Sequence, residues 1–261
     1  MLINTVILFL RDALPIFVLL GMLIGQVAVT KRLVFCALLL GFICSLIFIQ
    51  QVDVLGQLFA GTGLELSLWA LHFMLYGGVL LLGFGLFIRP SSSLNQHQSW
   101  SVLVLLAIII VAKGTNFLLY FNGFLNQQNA LQSMLIGTLL GLGICLSLAI
   151  LLYFFTGWLK RQFGAFASWM MLLVFVTGQL TNALNLLVQV DVIPEAVSLW
   201  NSQWLLDNES EYGHLFNVLF GYIATPTSLQ VSLYVALILL PLVARHYWLK
   251  FIAHPDRGEN Q

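Results

Sequence analysis

The chain has 261 residues, of which 60% are hydrophobic and 8% charged; its formal net charge is zero and its mean hydropathy is +0.98. This is the composition of a polytopic membrane protein, and it excludes an ordinary soluble domain. The zero net charge gives no reason to expect a nucleic-acid partner, and no Ser-His-Asp, zinc-ligand or phosphate-loop arrangement points to an enzyme.

Seven apolar segments are long enough to cross a bilayer: residues 3–25, 33–50, 66–88, 101–121, 133–153, 167–188 and 229–248. The sequence therefore predicts an all-α fold, one transmembrane domain over residues 1–261. Within the first segment lies Leu10-Arg11-Asp12-Ala13-Leu14-Pro15. At about 1.5 Å per residue, Arg11 and Asp12 sit roughly 12 to 14 Å deep in a hydrocarbon core about 30 Å thick. Intramembrane charges of this kind face a partner, a cavity or a transport path. Pro15 adds a second demand, because it offers no N–H to the carbonyl of Arg11. With its charges and no small-residue cleavage site, this segment reads as a first span and not as a cleaved signal.

The loop at 26–32 is short and basic, and the loop at 51–65 carries Gly56, Gly61, Gly63 and Glu65. The third span contains His72 with Tyr76 one turn on; its readings are a metal ligand, a proton relay or a hydrogen-bonded core histidine. Residues 89–100, with Pro90 and a serine run, read as a hinge between two halves, 1–89 and 101–189. The fourth span holds Lys113 near the midplane, followed by Thr115 and Asn116. A three-plus-three inverted repeat would place spans one and four face to face, with Lys113 opposite Arg11 and Asp12. Glycines at Gly21 and Gly25, and at Gly137 and Gly141, have the spacing that lets helices approach closely. Cys36, Cys44 and Cys145 lie in apolar runs and read as small buried thiols. Asn182 and Asn185 in the sixth span read as path-lining or as interhelical hydrogen-bonding groups.

Residues 190–228 form an extracytoplasmic loop before the last helix, 229–248. Residues 196–206, with Trp200, Trp204, Leu205 and Leu206, are expected to lie along the interface as an amphipathic helix. Asp207, Glu209, Glu211 and His214 have the ligand chemistry of a cation-capture group, although a solvated acidic loop is the competing reading. With seven alternating spans, Lys31, Arg32, Arg89, Lys160, Arg161, Arg245, Lys250 and Arg257 fall on one side, and Asp53, Glu65, Asp191, Glu195, Asp207, Glu209 and Glu211 on the other. The positive-inside rule then puts the N-terminus outside and the C-terminus in the cytoplasm.

In this order and spacing the chain resembles the oxidase-dependent ferric iron permeases, seven-span proteins of bacterial inner membranes and fungal plasma membranes. Ile7-Leu8-Phe9-Leu10-Arg11-Asp12-Ala13-Leu14-Pro15 resembles the family's first arginine-and-glutamate motif, and Val111-Ala112-Lys113-Gly114-Thr115-Asn116 falls where the second belongs. Further similarity lies in Leu151-Leu152-Tyr153, in Phe163-Gly164-Ala165-Phe166 with Trp169, and in His214-Leu215-Phe216 with Leu219-Phe220-Gly221-Tyr222 and Pro226. The resemblance implies a transporter with iron as transported substrate, no permanently bound cofactor, Asp12 as the metal-facing carboxylate, and an extracytoplasmic iron-oxidising or iron-delivering partner. It also implies that either Glu65 or His72 takes the place of the family's acidic residue near the start of the third span.

The motifs are degenerate. Of four acidic positions only Asp12 is acidic; the others are Pro15, Lys113 and Asn116. Arg11, Asp12 and Lys113 sum to a charge of +1, a poor host for Fe³⁺. Two functions stand open: a divergent permease-like transporter of iron or another metal cation, and a non-transporting relative that serves as a structural or assembly subunit among other membrane proteins, its site held shut by these charges.

Overall fold

A computed structural model describes residues 2–27, 29–88, 96–125 and 131–253. The described residues are all-helical apart from connections and one isolated bridge, Ser198 with Thr227. The hinge expected at 89–100 falls mostly on 89–95, outside the described residues, as does Arg257.

The helices are α1 (Leu2–Leu8), a π-helical turn (Phe9–Ala13), α2 (Leu14–Gln26), α3 (Lys31–Gln50), the short α4 (Val52–Gln57) and a 3-10 turn (Leu58–Gly61). Then come α5 (Gly63–Ile88), α6 (Gln96–Leu125), α7 (Leu131–Gln189), α8 (Glu211–Phe220) and α9 (Ser228–Ala253). Among the described residues six helical stretches are long and apolar enough to cross a membrane: Thr5–Gln26, Lys31–Gln50, Gly63–Gly83, Trp100–Leu118, Leu135–Gln189 and Ser228–His246. The segments expected as separate fifth and sixth spans run into one 59-residue helix, broken inside by the non-helical backbone of Gly164 at φ 85°, ψ 174°. No loop intervenes because 154–166 is rich in helix formers and aromatics, and only Gly164 adopts the left-handed backbone.

The first span is the centre of the fold: 67% of its apolar stretch is buried, against 17% for α3 and 11% for α9. Leu14, Val18, Leu19 and Leu23 are fully enclosed by Leu75 and Val79 of α5, Leu106 and Ile109 of α6, and Leu172, Phe175 and Val176 of α7. The outward sides of α3 and early α7 are mostly Leu, Ile and Phe, which suits lipid rather than water; Cys36 lies on this outward side and Cys44 is partly buried, so of the three cysteines expected to be buried only Cys145 is. Where helices meet, glycine sets the distance. A Cβ at Gly21 would lie 3.1 Å from Ala149 Cα, and one at Gly25 would lie 2.7 Å from the Tyr153 carbonyl oxygen. This pairs α2 closely with α7, as the small-residue spacing predicts. Polar ties complete the packing: Trp169 Nε1–H donates to the Val79 carbonyl at 3.0 Å, and Tyr76 O–H to Leu237 at 2.6 Å.

Two findings depart from expectation in 190–228. Residues 196–206 are irregular, not helical, because Leu199 N–H donates to the Pro226 carbonyl at 2.8 Å and Ser202 N–H to Ala224 at 2.9 Å. Those bonds hold the backbone extended against 224–227. A helix forms further on, as α8, with Ser210 as its N-cap: Ser210 Oγ accepts from Gly213 N–H at 2.9 Å. Gly221, at φ 71°, closes it.

α8 does not stay at the surface. It packs against α7, α2 and the π-helical turn of the first span, and Gly221 meets Gly178 so closely that a Cβ on Gly178 would lie 2.7 Å from Gly221 Cα. Gly178 is about 16 Å along α7 from its end at Gln189, which is mid-membrane depth. Polar groups at this end are met by side chains: the buried Val218 carbonyl accepts from Gln179 Nε2 at 3.1 Å, the exposed Phe220 carbonyl from Tyr234 O–H at 2.8 Å, and Asn217 Oδ1 from Asn182 Nδ2 at 3.0 Å. Non-helical backbone at this depth survives only when protein supplies its partners, and here it does.

Candidate functional site

The site begins with the missing donor of Pro15. Instead of breaking, the first span widens: over Phe9–Ala13 it is π-helical, and Leu14 N–H reaches back five residues to the Phe9 carbonyl. The extra residue in the turn absorbs the proline's lost hydrogen bond. It is fixed in place by its neighbours. The Phe9 ring packs edge-on to Phe117 of α6 at 4.9 Å between centroids, its Cβ abuts Gly141 of α7, and Cys145 Sγ lies 3.8 Å from its carbonyl.

This turn carries Arg11 and Asp12. Asp12 is 4% exposed, whereas the Arg11 side chain is 47% exposed. The two are directly paired: Arg11 Nη2 donates to Asp12 Oδ2 at 2.9 Å, and Arg11 Nε lies 3.2 Å from both carboxylate oxygens. Lys113 of α6, partly buried, lies within electrostatic reach of Asp12 and Arg11, and His72 of α5 lies within reach of Lys113. Three helices distant in sequence thus bring Arg11, Asp12, Lys113 and His72 together at similar depth. His72 Nδ1 sits 2.8 Å from the Leu68 carbonyl. A carbonyl only accepts, so Nδ1 carries the proton and Nε2 presents a lone pair. That Nε2 is buried and has no partner among the described residues.

The remaining candidates divide. Thr115 O–H donates to the Val111 carbonyl at 2.7 Å and meets Ser45 Oγ of α3 at 3.3 Å, a helix-to-helix tie. Asn116, one residue on, is partly buried and makes no side-chain hydrogen bond among the described residues. Asn182 binds Asn217 of α8, and Asn185 Oδ1 accepts from Gln230 Nε2 of α9 at 2.8 Å; both fasten elements together. Glu65, in the first turn of α5, has Oε2 buried without a hydrogen-bond partner among the described residues. Tyr76 turns to α9 and not to His72.

Asp207, Glu209 and Glu211 are exposed, and His214 is partly buried. Asp207 Oδ1 accepts from Glu209 N–H at 3.3 Å, and its carbonyl accepts from Ser210 O–H at 2.6 Å, so this stretch builds the turn into α8. Among the described residues no three His, Cys, Asp or Glu side chains converge as a metal-holding group. Beside it lies a polar cavity of 520 Å³, lined by Asn185, Glu195, Ser198, Asn208, Thr227 and Gln230 among others. Sequence reasoning misses this chamber because its wall is the contact of 195–198 with 223–227, which no local pattern announces. Trp69 is the other omission; its place between Glu65 and His72 on one helical face was available from spacing alone. Comparison with protein-family models, with curated proteins and with solved structures finds no match.

Proposed function

We propose that the chain is a divergent, iron-permease-like membrane transporter that moves iron or another metal cation inward, with Asp12 as the carboxylate the cation passes. The observation that carries this reading is a buried carboxylate on a π-helical turn at mid-membrane depth, approached by Lys113, His72 and the inserted helix α8. Intramembrane carboxylates default to ion pathways, π turns recur at functional sites, and helices ending inside the membrane build transporter sites.

Seven spans in a three-plus-three arrangement belong to the same proposal. A straight 55-residue stretch would run about 83 Å, far beyond one bilayer core, so the break at Gly164 supports two spans. Pairing supports the repeat: the first span packs on the first half of α7 through Gly21 and Ala149, and α3 packs on α6 through Gly41 and Ile110. Exchange of the two halves turns one pairing into the other. The charge distribution supports an N-terminus outside and a C-terminus in the cytoplasm of a plasma (bacterial inner) membrane. An extracytoplasmic iron-oxidising or iron-delivering protein would be the partner.

The test is iron uptake into proteoliposomes, ferrous and ferric offered separately, with Asp12→Asn as control. Uptake that requires Asp12 supports the transporter. The direct Arg11–Asp12 pair favours a second reading, a non-transporting subunit whose site is held closed. Folded protein with no uptake, co-purifying with other membrane proteins at fixed stoichiometry, supports that one.

A further inference from the structure

Along α5, Glu65, Trp69 and His72 occupy positions i, i+4 and i+7, inside about 60° of the helix circumference. Glu65 Oε2, Trp69 Nε1 and His72 Nε2 are each buried, and none has a hydrogen-bond partner among the described residues. His72 as a whole is 4% exposed. One unpartnered polar atom at this depth is costly. Three in a row, from the helix's first turn down to the charged centre, require an occupant.

The chemistry of the row identifies it. Glu65 Oε2 accepts, the indole N–H of Trp69 donates, and His72 Nε2, with the proton held at Nδ1 by Leu68, accepts. A bare cation would suit the two acceptors but not the indole N–H, and an anion would suit only the indole. Water both donates and accepts. The backbone rises about 6 Å from Glu65 to Trp69 and about 4.5 Å from Trp69 to His72, so the three groups follow one another along a single strip of α5. From this geometry we infer that the Glu65–Trp69–His72 face of α5 is a water-filled inlet, leading from the membrane face that carries residues 51–63 to the Lys113 and Asp12 centre.

The inlet stands on α5 and does not depend on the chain carrying a metal. It is therefore tested without transport. In a background of Cys36→Ala, Cys44→Ala and Cys145→Ala, single variants Glu65→Cys, Trp69→Cys and His72→Cys are reconstituted. A charged, membrane-impermeant methanethiosulfonate is then added to the face carrying residues 51–63. Met74→Cys and Leu81→Cys, at 59% and 72% exposed positions on the opposite side of α5, report the lipid-facing background. Thiolate forms in water and not in lipid, so the three inlet positions should label at least about tenfold faster than Met74→Cys and Leu81→Cys. Labelling of Trp69→Cys and His72→Cys at the Leu81→Cys rate overturns the inlet. If His72→Cys does not fold, judged by size-exclusion chromatography, Trp69→Cys alone decides. A dry face with Asp12-dependent uptake would refute the inlet and leave the transporter; a labelled face without uptake would do the reverse.

Discussion

Arg11 and Asp12 are neighbours in sequence and partners in space, an unusual economy for a buried pair. Adjacent helical residues ordinarily diverge by about 100°, and the π-helical turn lets the guanidinium fold back on the carboxylate. Removing one member should strand the other. Arg11→Met leaves Asp12 buried without its partner and should lower stability by about 1–3 kcal/mol, less than a fully enclosed pair because Arg11 is half exposed. Arg11→Met with Asp12→Asn should recover part of that loss. Thermal unfolding in detergent reads both, and a double variant as damaged as the sum of the singles would show that the pair is not coupled. The meeting of Arg11, Asp12 and Lys113 was legible in the sequence because depth follows from residue count in a helix of fixed rise. Their rotational setting was not, since one extra residue in a turn swings every later side chain about the axis and leaves no mark on hydropathy.

Pro15 and the glycines act at the scale of the element. Pro15→Ala returns the missing N–H, so the first span should relax to an ordinary α-helix and rotate Asp12 by about 100° relative to α2. The expected outcome is a protein at least as stable as the parent with Asp12-dependent iron uptake lost; undiminished uptake would detach the π turn from function. Gly25→Val drives a side chain into Tyr153 and Thr156 of α7, at a cost of about 1–3 kcal/mol, while Gly143→Val, with nothing within 4 Å, should be tolerated. A lower unfolding temperature for the first and not the second checks this. The apolar helices were legible because each is a long apolar run, and the Gly21 and Gly25 contact because its spacing repeats along one face. Gly164 was harder: it breaks the helix with a backbone angle, in a stretch with no proline and no run of turn residues to mark the place.

At the scale of the molecule the first span is a hub, and its last neighbour in the chain, α8, reaches it from 200 residues away. Gly178→Val should prevent α8 from seating, since the Phe220–Gly221 backbone occupies the space its side chain needs. Limited proteolysis should then cut within 211–221 faster than in the parent; an equal rate would place α8 elsewhere. Nothing local encodes this insertion. Its ten residues carry a clear apolar face but are too few for a span, so they read as loop, and the groups that receive them, Gln179, Asn182 and Tyr234, belong to helices on either side.

The Gly178–Gly221 contact also constrains biogenesis. At ten residues, about 15 Å, α8 is too short to cross the bilayer and cannot be released sideways into lipid like a span. It is synthesised before α9, yet Tyr234 O–H of α9 donates to the carbonyl of its last residue, Phe220. Its contacts with α7 and the first span involve segments already made, and only the Tyr234 bond must await α9, so the wall beside the charged centre is completed by the last helix.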